Sequence, residues 1–568
     1  MSSVLLIVAG TIAFIAAYFV YGRYLSRVFE VHDARRTPAH DLHDGVDYVP
    51  ARMPVLLGHH FASIAGAGPI IGPIAAAAYG WGPVFLWIVI GAIFVGAVHD
   101  FASMIASVRH SGRSIGEVIE ARIGYSGKVL FLVFSWSALI LVVAVFAVVV
   151  AQTFISEPST ATSSILFSIL AIVFGVCINR FRMPLGWATV IFLPLLVASI
   201  GIGVRWPIAL PTAHLGSLAL PPLTLWVLIL LVYCFIASVA PVWVLLQPRD
   251  YLSSFLLYGL IFAGIVGGIA AHPPVKTPAF VAWSDADLGP LFPMLFVTVA
   301  CGAISGFHSL VASGTSSKQI NRETDALPVG YGAMLIEGIL AIVALITAVR
   351  FSAGEYAHLL DTRGPINVFA SGIGCFVTKF RIPEQHGTTF GALAVSAFAL
   401  TTLDTATRIA RYCFQELVTT RRHVHTPGRP FAIDRFSATA VCVVLSAALA
   451  LSGQWKMLWP LFGSANQLLA ALALLAISVW LFHLGKRMWF LLVPAAFMFF
   501  VTLAALATLF SENLAHLVTA LGPSAAAMRA SVPTYSVMAA MSLVLGIVAV
   551  ILLILGVRVL LRGKPAKA

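Results

Sequence analysis

Ionisable side chains inside long apolar runs are the residues of this chain whose presence needs a chemical reason. His59-His60, His99-Asp100, His308, Glu337, and Asp404 with Arg408 each sit in such a run. A charged group at the centre of a bilayer costs about 2.5–3.5 kcal/mol on insertion scales, so such groups face a bundle interior or a wet path and mark ion or proton routes. Histidine changes charge near neutral pH, which suits an embedded proton carrier. His308 is set in Gly302-Ala-Ile-Ser-Gly-Phe-His308 and the following Ser309, Ser313, Thr315, Ser316 and Ser317. These small and hydroxyl residues allow close helix approach and could coordinate a substrate or an ion.

Each group also has a structural reading. Asp404 and Arg408 lie four residues apart, the spacing of an intrahelical ion pair, which would make them self-neutralising. Thr401, Thr402, Thr405 and Thr407 surround Asp404 and favour a hydrated path instead. His99-Asp100 equally suits an anchor near the cytoplasmic interface, and Glu337 has no evident partner. A metal site is not expected: no HExxH occurs, and neighbouring rings such as His59 and His60 leave a helix about 100° apart, so both rarely reach one ion.

The elements that must hold these groups follow from composition. Of 568 residues 60% are hydrophobic and 10% charged, with a mean hydropathy of +0.98. Soluble domains carry roughly 25% charged residues, so the chain is read as an all-α integral membrane protein. The net charge of +12 does not indicate nucleic acid, because the basic residues fall in short loops and form no stripe. The six cysteines form neither a disulfide framework nor a CxxC pair. The first run, Val4–Val28, lacks a basic n-region and a cleavage site, so it is expected to stay as a spanning helix.

With about 20 apolar residues needed per crossing, we read 15 spans: 4–28, 54–78, 83–108, 129–155, 162–178, 185–204, 223–246, 252–271, 291–316, 328–349, 387–412, 436–451, 457–484, 488–510 and 534–557. Alternate connections place 25 of the 34 basic residues on one side and 8 on the other, with Arg408 inside a helix. By the positive-inside rule the N-terminus is outside and the C-terminus cytoplasmic. That orientation puts His59-His60 a turn or two inside the cytoplasmic end of its span, His99-Asp100 and Asp404 in the inner third of theirs, and His308 slightly deeper.

Two spans read as broken. One carries Ser63-Ile-Ala-Gly66-Ala67-Gly68-Pro69, with Pro73 beyond; the other carries Ser238-Val239-Ala240-Pro241. Paired interruptions in two halves point to a transporter binding site. Each opens a block of five spans, 54–204 and 223–412, starting on opposite sides, which is an inverted repeat. The single transmembrane domain (1–568) thus comprises a leading helix (4–28), a core (54–412) and accessory helices (436–557) that buttress or dimerise it. A channel would not need the paired breaks. A starvation sensor would append a soluble domain, and the longest loop, about 350–386, is too short for one.

The chain resembles the carbon-starvation CstA-type transporters in Gly58-His-His-Phe-Ala-Ser-Ile-Ala-Gly-Ala-Gly-Pro69, Gly96-Ala-Val-His-Asp100, Leu245-Leu-Gln-Pro-Arg-Asp-Tyr-Leu252 and Ala300-Cys-Gly-Ala-Ile-Ser-Gly-Phe-His-Ser309. Ser313-Gly-Thr-Ser-Ser-Lys-Gln319, Phe398-Ala-Leu-Thr-Thr-Leu-Asp-Thr-Ala-Thr-Arg408 and Leu458-Trp-Pro-Leu-Phe-Gly-Ser-Ala-Asn-Gln-Leu468 continue the match. The resemblance implies a LeuT-like fold and secondary transport of pyruvate with protons, or alternatively of short peptides, across the inner membrane. It implies no enzyme activity and no cofactor. A small carboxylate is expected between the two breaks: Ser63, Gly66, Ala67, Gly68 and Pro69 on one side, Ser238, Val239, Ala240 and Pro241 on the other, beside Ser305, Gly306, His308 and Ser309. Helix N-termini there suit an anion. His60, His308 and Asp404 are assigned to proton coupling, with His59, His99, Asp100 and Arg408 as further coupling or gating groups. Lipid, protons and a second copy of the chain in a homodimer are the other expected partners.

Overall fold

A computed structural model describes residues 2–44, 48–215, 218–240, 245–419, 433–452, 455–521 and 532–562. Long Leu, Ile, Val, Ala and Phe runs become helices because backbone groups in lipid must be satisfied within one segment. In chain order these are α1 (Ser3–Val28), α2 (Met53–Ile64), α3 (Gly68–Tyr79), α4 (Trp81–Val108), α5 (Ile115–Ile123), α6 (Tyr125–Ser156) and α7 (Pro158–Asn179). Next come α8 (Leu185–Arg205), α9 (Pro222–Val239), α10 (Pro248–Ala271), α11 (Leu291–Val299), α12 (Gly306–Gly314) and α13 (Glu323–Val349). The last are α14 (Ala353–Arg363), α15 (Pro365–Val377), α16 (Glu384–Val418), α17 (Arg435–Ala450), α18 (Trp455–His483), α19 (Trp489–Leu521) and α20 (Val532–Leu561). Proline in the first turn of α2, α7, α9 and α15 pre-sets the entry angle where no N–H partner exists. Two antiparallel strand pairs, Ala213–Leu215 with Leu218–Leu220 and Ser284–Asp285 with Gly289–Pro290, are the strands among the described residues.

The interior is built from α6, α16 and α18, which are almost wholly buried, together with α11, α12 and α13. α6 and α16 run along each other, and α9 and α17 pack on both and on one another. α10 lies on α2, and α18 lies on α11 and α12. The α7–α8 hairpin sits outside this core against α16, with α7 also touching α10, and α19 and α20 flank α18. The outer helices α1, α8 and α20 present Ile12, Phe19, Trp187, Val197 and Ile547 outward, as lipid-facing surfaces should.

Four sequence expectations change. Thirteen helices, with α11–α12 taken as one, are long and apolar enough to cross, and the bent pair α2–α3 makes 14. The expected span 436–451 is the 16-residue helix α17, about 24 Å at 1.5 Å per residue and shorter than the other apolar helices counted as spans. The expected span 223–246 is not a single broken helix. α9 ends at Val239 and Ala240 is extended (φ −67°, ψ 152°), while Pro241 lies outside the described residues. The second interruption falls instead in the ninth span, between α11 and α12. Finally, the stretch read as the loop 350–386 holds α14 and α15, and α15 is largely buried between α13 and α16.

Candidate functional site

Two interrupted spans meet at the centre of the bundle. In the first, Ala65 leaves the helix (φ −73°, ψ 65°), Gly66 N donates to Ile64 O at 2.7 Å, and α3 departs at 47° to α2. In the second, Ala300 takes a left-handed φ of 45° with ψ −123°, and Ser305 is extended (φ −139°, ψ 125°) before α12 begins. A non-glycine residue in such a conformation costs about 1–3 kcal/mol and persists where the surroundings over-determine it. The breaks are packed on one another. A Cβ on Gly68 would sit 2.6 Å from Cys301 Sγ, and one on Gly72 would strike the Thr298 and Val299 carbonyls. Glycine is required at both positions by close approach.

A broken helix frees backbone groups that need partners at membrane depth. Here α18 supplies them. Asn466 Oδ1 accepts from Phe307 N at 2.9 Å, Trp459 Nε1 donates to Thr298 O at 3.0 Å, and Gln467 Nε2 donates to Phe296 O at 2.6 Å. Asn466 Nδ2 also reaches Ser305 Oγ at 3.0 Å. The Leu458–Leu468 motif is therefore a splint for the second break.

Beside this break runs a buried chain of four titratable groups. His99 Nδ1 lies 2.7 Å from Asp100 Oδ1, and His308 Nδ1 lies 2.8 Å from Asp100 Oδ2. His308 Nε2 lies 3.5 Å from Glu337 Oε2. All four side chains are fully buried. The chain joins α4, α12 and α13, and it gives Glu337 the partner its own helix lacks. His60 points to α12's far end, with Nδ1 2.8 Å from Ser316 Oγ.

A second cluster joins α9, α10 and α16. Arg249, fully buried, pairs with Asp404 and also donates to Tyr233 Oη. Tyr233 in turn donates to Asp404 Oδ2 at 3.0 Å. His59 Nδ1 lies 3.6 Å from Asp250 Oδ2. The two histidines of α2 thus face different clusters. The expected Asp404–Arg408 pair is corrected. Arg408 Nη2 donates to Ala237 O (2.9 Å) and Ala240 O (2.8 Å), and Arg411 Nη1 to Ser238 O (2.8 Å). The open carbonyls at the end of α9 carry negative partial charge and draw both guanidiniums. Arg249 falls between the expected spans 223–246 and 252–271, where a count of basic residues cannot tell a buried arginine from an exposed one.

The structure brings the first break against the second at Gly68 with Cys301 and at Gly72 with Thr298 and Val299, whereas Gly66 faces Thr402 and Phe146 and Gly306 faces Asn466 and Ala470. Ser63 and Ser309 turn back on their own helices, bonding His59 O (2.9 Å) and Gly306 O (2.7 Å). Ser238, Val239 and Ala240 do not join them: α9 packs on α6, α16 and α17, and Ser238 Oγ lies 3.3 Å from Thr439 Oγ1. Cys301, Tyr233, Arg249 and Asn466 are the additions that sequence reasoning missed, and Glu337, singled out there without a partner, gains one in His308. At the end of the bundle rich in basic residues, Glu323 Oε1 bonds Arg35 (2.8 Å) and Arg109 (3.0 Å). Lys128 Nζ meets Glu117, Glu120 and Glu416 at 2.8–2.9 Å. Among the described residues no group of three or more His, Cys, Asp or Glu side chains is arranged to hold a metal ion.

The family model of the carbon starvation protein CstA matches residues 2–361 and 357–505. The peptide transporter CstA of Escherichia coli K12 is 35% identical over 568 residues, covering 88% of this chain and 80% of that protein. The peptide transporter CstA of Campylobacter jejuni is 34% identical, covering 88% and 79%. The pyruvate/proton symporter BtsT of Escherichia coli K12 is 32% identical over 602 residues, covering 90% and 82%. In fold the chain is similar to the Eremococcus coleocola manganese transporter, with a TM-score of 0.52 at 13% identity over 92% of this chain and 99% of that one.

Proposed function

We propose, from the premise that this chain belongs to the carbon-starvation CstA family and is a multi-pass inner-membrane secondary transporter of small solutes rather than an enzyme, that it takes up short peptides together with protons. The observation that carries the reading is the contact of two interrupted helices, Gly68 against Cys301, beside a sealed chain of titratable groups. Half-helix ends at the midplane suit the charged termini of a peptide. Pyruvate is the second reading, favoured by the likeness to the pyruvate/proton symporter over 90% of this chain. Both substrates carry a carboxylate, and one site of helix N-termini serves either.

Substrate sits between Gly66–Pro69 and Ala300–His308. Alternating access rocks the helices that carry these breaks, in a LeuT-like arrangement with the N-terminus outside. Two blocks of five form the core. The first comprises α2–α3, α4, α6, α9 and α10; the second comprises α11–α12, α13, α16, α17 and α18. α1, the α7–α8 hairpin, α19 and α20 lie outside both blocks. The proton route runs through His308 with His60 nearby. Asp404, held by Arg249 and Tyr233, ties α9, α10 and α16 together.

The test is counterflow and concentrative uptake in proteoliposomes, with labelled dipeptide and labelled pyruvate, with and without an imposed pH gradient or sodium. Dipeptide accumulation that follows the pH gradient and ignores sodium is expected. Accumulation of pyruvate alone would replace the substrate, and dependence on sodium alone would replace the coupling ion.

A further inference from the structure

The chain from His99 through Asp100 and His308 to Glu337 contains two carboxylates and two imidazoles, all fully buried. His308 stands between the two carboxylates: its Nδ1 lies 2.8 Å from Asp100, while its Nε2, without a hydrogen-bond partner among the described residues, faces Glu337 at 3.5 Å. Among the described residues neither carboxylate pairs with a lysine or an arginine. Both oxygens of Glu337 and Nε2 of His99 lack a hydrogen-bond partner there. The other titratable groups facing the chain are His60 on α2 and the Cys301 thiol at the break. α3 and α18, packed on the same region, bring it glycines and the Asn466 amide.

The charge balance then decides the occupancy. With both carboxylates ionised and both rings neutral, the chain carries two negative charges. One proton on His308 leaves one negative charge, and a second, on Glu337 or His99, makes it neutral. An uncompensated charge in a sealed interior is expensive enough that a buried group changes protonation instead. We propose that Glu337 is the dischargeable member of a two-proton store: the occluded site holds two protons, and opening to the cytoplasm lets the Glu337 carboxyl give its proton to water. Glu337 lies near the middle of α13 (Glu323–Val349), the level at which the two breaks meet. Refilling from the outer side completes one proton per cycle. This rests on the proton-symport reading and names the group that carries it.

The experiment compares wild type, Glu337→Gln and Glu337→Asp in proteoliposomes, each confirmed monodisperse, with labelled dipeptide and labelled pyruvate. Accumulation under a pH gradient and substrate-evoked proton flux, read by a trapped pH dye, are set against counterflow. Glu337→Gln is expected to lose at least tenfold in accumulation and in proton flux, and far less in counterflow, so that their ratio falls at least fivefold. Glu337→Asp, which keeps an ionisable carboxyl, is expected to regain accumulation. Equal loss of accumulation and counterflow in Glu337→Gln, without rescue by Glu337→Asp, would overturn the proposal. So would Glu337→Gln accumulating like wild type. If wild-type accumulation itself ignores the pH gradient, the proton-symport reading fails, a result distinct from failure of the Glu337 assignment.

Discussion

Removing the Arg249 guanidinium should be among the most destabilising single changes in the bundle, whereas removing Arg408 should not be. Arg249 and Asp404 are both fully buried and paired, and Tyr233 bridges them. Arg249→Gln strands the Asp404 carboxylate, and breaking one side of a buried pair costs about 3–5 kcal/mol. Arg408→Gln removes hydrogen bonds to Ala237 O and Ala240 O, worth about 1.5–3 kcal/mol for a charged donor, and leaves Asp404 paired. Asp404→Asn alone strands Arg249 by the same amount that Arg249→Gln strands Asp404. The double change Arg249→Gln with Asp404→Asn leaves no unpaired charge, so it should recover most of the loss. A double-mutant cycle should return a coupling of at least about 3 kcal/mol for Arg249 with Asp404, and below about 1 kcal/mol for Arg408 with Asp404. The assay is chemical denaturation of purified protein in detergent, followed by tryptophan fluorescence, with counterflow measured on each folded variant. If Arg408 couples to Asp404 as strongly as Arg249 does, the side-chain pairing described above is wrong.

Packing at the two breaks gives further expectations. Gly72→Ala pushes a methyl group into the Thr298 and Val299 carbonyls; overpacking of this kind costs about 1–3 kcal/mol, and both the denaturation midpoint and counterflow should fall. Gly68→Leu meets Cys301 directly and should abolish uptake while folded protein still reaches the membrane; normal transport by that variant would move the binding site elsewhere. Asn466→Ala frees Phe307 N and Ser305 Oγ from their partner and should lower stability by about 1–3 kcal/mol, read by the same denaturation assay.

The sequence revealed the first break because three glycines and prolines crowd one short run, a composition no continuous helix needs. It did not reveal the second, because Ala300 and Cys301 look like any apolar span and Pro241 drew the reading to α9. What breaks the helix at Ala300 is tertiary: Gly68 and Gly72 press against it from one side and α18 holds it from the other. The polar chain was half visible. His99, Asp100, His308 and Glu337 stood out as ionisable groups in apolar runs, but that Glu337 lies opposite His308 is a tertiary fact that no single run contains. Four-residue spacing allowed an Asp404–Arg408 pair; the open carbonyls of α9 compete for Arg408, and no count of spacings contains that competitor. The short helix α17 and the buried α15 fall where length and hydropathy are both marginal, so neither pattern could place them.

Placing the second break at Ala300–Ser305 changes which residues should feel the substrate. The two interrupted helices are the second and ninth apolar runs in order, so the proposed inverted repeat, with each run crossing once, has them run in opposite directions. The α7–α8 hairpin adds two crossings and therefore lengthens the first half without altering that relation. It packs outside the core, where an insertion is tolerated. The equivalent members also pack in mirrored fashion, α6 with α16, α9 with α17, α10 on α2 and α18 on α12. Under the proposed register Cys301 would line the substrate site and Ser238 would not, since Ser238 is bonded to Arg411 and Thr439. In a background with the other five cysteines replaced, a small permeant maleimide should reach Cys301 during turnover. Saturating dipeptide or pyruvate, whichever is transported, should slow that reaction at least fivefold. A Ser238→Cys variant with Cys301 replaced should react at a rate that substrate leaves unaltered. Protection at position 238 with none at Cys301 would restore the break at the end of α9 as the binding site and refute the register.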